Sequence, residues 1–261
     1  MAKENPAKPF YSVLILAFFC SALVAGAAVG LRPFQEANKL NDRKKNILYA
    51  AGIYQEGRSV QELFAPIETR IVELRTGKFL PKDQIDPQSY NQLKAALSKS
   101  TGLAIPGDED IAKLRRMEKY SLVYLVKEGS KIDQIILPVR GKGLWSTMYA
   151  YVAIDGDLTT IRGVSFYEHG ETPGLGGEIE NQKWLKGWRG KKMYGSTGDV
   201  DLHIIRGKVS GADSGAIHQI DGLSGATLTA NGVNNLMEFW FGDHGFTPFF
   251  DQLRHKDNSN G

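Results

Sequence analysis

Apolar and polar positions divide the chain into three stretches of different character. From Phe10 to Leu31 no charged residue interrupts an apolar run, which Lys8 and Arg32 bound. Its 22 residues match the ~20 that a helix needs to cross hydrocarbon. A cleaved signal peptide is the competing reading, with Ala25-Gly26-Ala27 as a small-residue cleavage site. A signal core usually spans only about 7–15 residues, so a retained single span is expected. After Pro33 the pattern turns polar and helix-prone, from Gln35 to Ala51. Ser59 to Phe64 reads as a short capped helix, Ile67 to Leu74 alternates as a strand, and Asp86-Pro87 opens a helical stretch through Ala96. Gly102 to Asp110, rich in Gly, Pro and acidic residues, reads as a loop and a boundary.

Beyond that boundary the pattern is dominated by strands. Ser121–Val126, Gln134–Val139, Met148–Ile154 and Ile161–Phe166 are β-branched or aromatic runs separated by Gly or Asp turns. Gly177 to Trp188 is expected as a helix with Ile179, Trp184, Leu185 and Trp188 inward. Val200 to Ile205 reads as one more strand, and a helix from Ala226 to Phe241 follows, with Val233, Leu236, Met237 and Trp240 at helical spacing. Successive strands with helices at their edges predict an α+β fold: one N-terminal transmembrane helix, then a mixed helix and antiparallel-sheet domain. The expected division is a tail over 1–9, the span over 10–31, a membrane-proximal α+β segment over 32–110, a domain over 111–250 and a polar tail over 251–261.

Composition narrows the function classes. A net charge of +3 on 261 residues is too mild to argue for nucleic acid. The single cysteine, Cys20, lies within the span. No disulfide, thiolate zinc site or iron–sulfur cluster can be assembled from it alone. The five histidines, His169, His203, His218, His244 and His255, form no H-x₃-H pair or H-E-x-x-H. His169-Gly170-Glu171 has the H-x-E of the deaminases without its P-C-x-x-C half. No G-x-S-x-G elbow is present. No metal site and no catalytic residue of a hydrolase are expected.

The segment richest in chemistry is Asp221-Gly222-Leu223-Ser224-Gly225-Ala226-Thr227-Leu228-Thr229. Ser224 is expected to cap the following helix, and free N–H groups at such a start favour an anion. At about 100° per residue Thr229 lies on the inward stripe with Val233, Leu236 and Trp240, whereas Thr227 points roughly 160° away. Locally, this is also the pattern of a capped helix with two incidental threonines. Glu171-Thr172-Pro173-Gly174-Leu175-Gly176-Gly177 is a glycine-rich loop that permits close backbone approach to a ligand, or forms an ordinary turn. Gly141-Lys142-Gly143-Leu144-Trp145-Ser146 could set Trp145 against an aromatic ring, or bury it. It lacks the third glycine of a dinucleotide fingerprint. Lys208 could serve as a cation near a phosphate or a bound ring, or as a solvated surface lysine.

The motif D-x-x-S-G-A-T-x-T resembles the attachment sequence of proteins that carry FMN as a phosphoester on Ser or Thr. With the N-terminal span, the segment around Ile53–Phe64 and Glu171–Gly176, the whole chain resembles the C subunit of the Na⁺-translocating NADH:quinone reductases. It is similar also to the G subunit of the Rnf electron-transport complex, which shares the anchor and the motif. The resemblance implies that 111–250 is the FMN-binding domain and that FMN is joined covalently to the last hydroxyl of the motif, Thr229. Ser224, Gly225, Ala226, Thr227, Leu228, Glu171, Thr172, Leu175, Gly143, Trp145 and Lys208 are then expected around the cofactor. It further implies an electron relay, five partner subunits, a periplasmic flavin transferase, and a bacterial inner-membrane anchor with the large domain in the periplasm. The basic residues oppose that orientation: Lys3 and Lys8 precede the span, and Arg32, Lys39, Arg43, Lys44 and Lys45 follow it. A tethered flavin-binding module without electron transfer is the reading from another class.

Overall fold

A computed structural model describes residues 7–259, with side chains to 255. The expected tail over 1–9 and polar tail over 251–261 lie partly outside the described residues. The chain separates into two compact units, residues 1–43 and 44–261.

The first unit is helical. Helix α1, Lys8–Ala50, contains the apolar run, and Phe10, Leu14, Phe18 and Leu23 are exposed. By length and composition it can cross a membrane.

The second unit is built on a five-stranded antiparallel sheet in the order β1-β4-β5-β6-β7. The strands are β1 (Glu68–Glu73), β4 (Tyr120–Glu128), β5 (Lys131–Lys142), β6 (Thr147–Asp155) and β7 (Ile161–Glu168). Between β1 and β4 lie helix α3 (Gln92–Leu97) and the paired strands β2 (Gly102–Ala104) and β3 (Arg116–Glu118). Helix α2 (Val60–Phe64) precedes β1.

Both faces of the sheet are covered. On one face, Leu122, Tyr124, Ile136, Tyr151 and Ala153 pack with Ile47, Leu48 and Ala50 from the end of α1. On the other, Val123, Leu125, Leu137, Val139, Val152 and Ile154 pack beneath α5 (Thr227–Phe241) and α6 (Thr247–Ser259), which contribute Val233, Leu236, Trp240, Phe249 and Phe250. An antiparallel sheet with one wet face shows clean alternation. Here β6 is buried at five successive positions from Ala150 to Ile154, which is why its sequence reads as a continuous apolar run.

Several elements differ from the sequence-based expectation. The stretch from Asp86 begins as a turn, with the Asp86 carboxylate accepting from Gln88 N–H at 3.0 Å. Helix starts only after Asn91, whose side chain accepts from Lys94 N–H at 3.0 Å. Within the expected loop, Gly102–Ala104 pairs with β3. The expected helix over 177–188 divides into a 3₁₀ turn, Gly176–Glu180, and helix α4, Gln182–Lys186. Asn181 separates them, because its side chain accepts from Lys183 N–H at 2.9 Å and starts a new helix. Ile179, Leu185 and Trp188 are buried as expected, but Trp184 is half-exposed, its indole donating to Asp221 O at 2.8 Å. The strand expected over 200–205 contracts to β8 (His203–Ile204), which runs parallel to β9 (Gln219–Ile220).

Candidate functional site

Three segments meet at one end of β5 and β6. A tight turn over Gly143–Ser146 joins those strands, closed by Gly143 N–H donating to Ser146 O at 2.8 Å. The loop after β7 folds over it, with Leu175 and Gly177 N–H both donating to Thr172 O, at 3.1 and 2.9 Å. The first turn of α5 is the third segment.

One carboxylate joins them. Glu171 is 5% exposed. Its Oε1 accepts from Trp145 N–H at 3.0 Å and Ser146 N–H at 3.3 Å. Its Oε2 accepts from Leu144 N–H at 3.2 Å and from the Thr229 hydroxyl at 2.6 Å. Burial acts to raise the Glu171 pKa, but the Thr229 hydroxyl and these three N–H groups outweigh it and hold the carboxyl below its ordinary range. Glu171 is therefore an anion at neutral pH, satisfied by protein donors.

The two threonines of α5 have opposite surroundings. Thr229 is 1% exposed and lies on the inward stripe with Val233, Leu236 and Trp240, as its spacing predicts. Its hydroxyl proton is engaged by Glu171. The Gly176 backbone lies so close that a Cβ there would collide with Thr229 Oγ1. A phosphate on that oxygen would have no space and would set its charge against a buried anion. This geometry argues against the expected attachment at Thr229. Thr227, two residues earlier, is exposed.

The helix start also differs from expectation. Ser224 does not cap it: Ala226 occupies the N-cap position, and no side-chain cap hydrogen bond is made there. Gly225 lies between them at φ 70°, in the left-handed region that glycine tolerates. The Leu175 methyl Cδ2 would be 3.0 Å from a Cβ at Gly225. Ser224 is exposed and Ala226 buried.

Around Thr227 the surface is apolar. Leu228 is 60% and Trp145 65% exposed, and Leu144 and Leu175 are also open. Leu144 is an addition to the residues expected from sequence, where an apolar pair at a hairpin tip was its only signal. Gly143 supports the turn from beneath, since a Cβ there would be 2.5 Å from Glu171 Oε1. Thr172 is exposed and serves through its carbonyl. The loop of Lys208 is tied to the motif by Val209 N–H, which donates to Asp221 Oδ1 at 2.8 Å, and by Gly222 N–H, which donates to Gly207 O at 2.7 Å. The Lys208 side chain itself is exposed, without an ion pair among the described residues. An uncapped helix start beside an open apolar surface suits a phosphate joined to a planar ring, so these residues fit FMN.

Residues 143–242 match the FMN-binding domain family. Over 256 residues the chain is 46% identical to the C subunit of the Na(+)-translocating NADH-quinone reductase of Pseudomonas aeruginosa, with 97% of each chain covered. It is 43% identical to the corresponding C subunit of Yersinia pestis, with all of both chains covered. Among solved structures, NqrC of Shewanella oneidensis superposes with a TM-score of 0.77 at 35% identity, covering 84% of this chain and 99% of that one. The alignments with these relatives take in nearly the whole chain, the N-terminal apolar helix and the segment before the FMN-binding domain included, and so the chain belongs to the NqrC family, the C subunits of Na⁺-translocating NADH-quinone reductases.

Proposed function

We propose that this chain is the membrane-anchored flavoprotein subunit of a Na⁺-translocating NADH:quinone reductase and relays electrons through FMN held as a phosphoester on Thr227. The observation that carries the attachment point is the contrast in access: Thr227 is exposed at an uncapped helix start, whereas Thr229 is buried and bonded to Glu171. Unpaired N–H groups of the first turn favour the phosphate, and the helix dipole adds to that preference. Leu144, Trp145, Leu175 and Leu228 offer the apolar surface for the ring. FMN supplies the redox chemistry when bound, and the protein orients it and tunes its surroundings.

In this reading neither threonine catalyses electron transfer. Thr227 is a tether, and Thr229 fixes the helix start to Glu171. A phosphoester prevents cofactor loss from a domain outside the cytosol, where free flavin is dilute. The segment over 111–250 is the FMN-binding portion. Five other subunits complete the reaction at the inner membrane, and a periplasmic flavin transferase installs the cofactor.

Intact-mass measurement of full-length protein made with a flavin transferase tests the tether. Wild type is expected to gain the mass of FMN less one water. Thr227→Ala loses that adduct and Thr229→Val retains it. An adduct that survives in Thr227→Ala and disappears in Thr229→Val overturns the assignment. A reversible flavin redox titration of the adduct distinguishes a relay from a tethered binding module.

A further inference from the structure

We propose that Glu171 is a positioning residue that presents Leu144 and Trp145 to the flavin and sets a fixed negative charge beneath them; the flavin part of this rests on the reading above. Leu144 and Trp145 are large apolar side chains left open at a hairpin tip. Side chains exposed to that extent have little packing of their own to hold them. Their placement comes from the backbone, and the backbone is gripped from below. Three successive N–H groups, of Leu144, Trp145 and Ser146, converge on the one buried carboxylate. Such a concave run of N–H groups is an anion-binding arrangement, and here a side chain of the same protein fills it. The Lys142 ammonium holds the far side, donating to Trp145 O at 2.9 Å. Gly170 N–H donates to Ser146 Oγ at 2.5 Å and ties the same turn to the loop that bears Glu171.

The fourth donor decides the direction of the platform. Thr229 Oγ1 bonds the same carboxylate, two residues from Thr227 on the same helical turn. Glu171 therefore fixes the apolar pair relative to the tether as well as to the sheet. A loop without this link could swing its aromatic face away from the attachment point while leaving the core intact. The carboxylate also keeps its charge, because all its donors are internal. Electrons added to a ring resting on Leu144 and Trp145 would meet that charge through a low-dielectric contact.

Full-length protein carrying Glu171→Gln separates this role from simple stabilisation. Glutamine keeps the shape but turns one oxygen into a donor, which in either orientation of the amide faces an N–H group of the turn: those of Trp145 and Ser146, or that of Leu144. The Trp145 signal is isolated by subtracting Trp145→Phe in each background. In protein made without the transferase, Glu171→Gln is expected to lower the time-resolved fluorescence anisotropy of Trp145. In protein made with it, the adduct mass is retained and the flavin midpoint potential rises. Glu171→Asp keeps the charge with a shorter reach: its anisotropy falls while its potential stays nearer that of wild type. The proposal is overturned if folded Glu171→Gln or Glu171→Asp leaves Trp145 as rigid as in wild type, or if Glu171→Gln leaves the potential of an intact adduct unmoved. Absence of an adduct in wild type would instead overturn the flavin reading, and the anisotropy of the unmodified protein would still decide whether Glu171 holds the turn.

Discussion

A phosphoester can form only on a hydroxyl that the installing enzyme reaches, and the two threonines of the motif differ in that respect before any cofactor is considered. Thr229 spends its hydroxyl on internal structure. Replacing it with valine leaves one Glu171 oxygen short of a donor, at a cost of roughly 1–3 kcal/mol, visible as a lower denaturation midpoint with unchanged flavin content. Thr227→Ala removes an exposed methyl and hydroxyl; its midpoint is expected to stay near wild type while the flavin is lost. Glu171 also makes stability depend on pH. Its folded pKa lies below the ordinary carboxyl value, so its contribution is present above that unfolded value, about 4.3. It is lost as pH falls through the folded pKa. The acid limb of the stability profile should flatten in Glu171→Gln; an acid limb identical to wild type would contradict this. The Glu171 N–H is itself held, donating to His169 Nδ1 at 3.2 Å.

Helix α5 links the core to the site. Its inward residues Val233, Leu236, Met237 and Trp240 are buried under the sheet, and Trp240 donates its indole N–H to Arg140 O on β5 at 2.6 Å. Leu236→Ala should destabilise the fold by about 2–5 kcal/mol in chemical denaturation, without preventing attachment at Thr227 in the fraction that folds. The turn between β5 and β6 obeys a different constraint. Gly143→Ala drives a methyl against Glu171 Oε1 and Met148 Sδ, at 2.5 and 3.0 Å before adjustment. It is expected to loosen the Trp145 turn more than its loss of stability would suggest, read as reduced near-ultraviolet circular dichroism from Trp145. Helix periodicity made the buried stripe of α5 legible, because four positions recur at one angle. The helix start was not legible: Ser224 looked like a cap, but the left-handed turn at Gly225 places Ala226 there instead.

For the molecule as a whole, one apolar helix and a sheet covered on both faces define the two units. The orientation proposed for the large domain opposes the count of basic residues beside the span, and that count is a weak guide where a long domain follows. A C-terminal alkaline phosphatase fusion should therefore be active in intact cells, and a C-terminal green fluorescent protein fusion dark; the reverse pair would place the domain in the cytoplasm. The doubly covered sheet also explains why the strands could be found but their two faces could not. Runs such as Ala150–Ile154 are apolar throughout, so no alternation marks which residues meet α5 and which meet the end of α1.

Local pattern alone determined the apolar span, the main strands, the inward stripe of α5 and the motif that carries the chemistry, since each is a repeat or a short string along the chain. Folding in three dimensions decided which threonine is free. Glu171 and Thr229 are far apart in sequence, and only the sheet topology brings carboxylate and hydroxyl to 2.6 Å. Burial and a hydrogen bond to a distant loop thus enclose the hydroxyl to which the resemblance had pointed, and leave Thr227 at the surface.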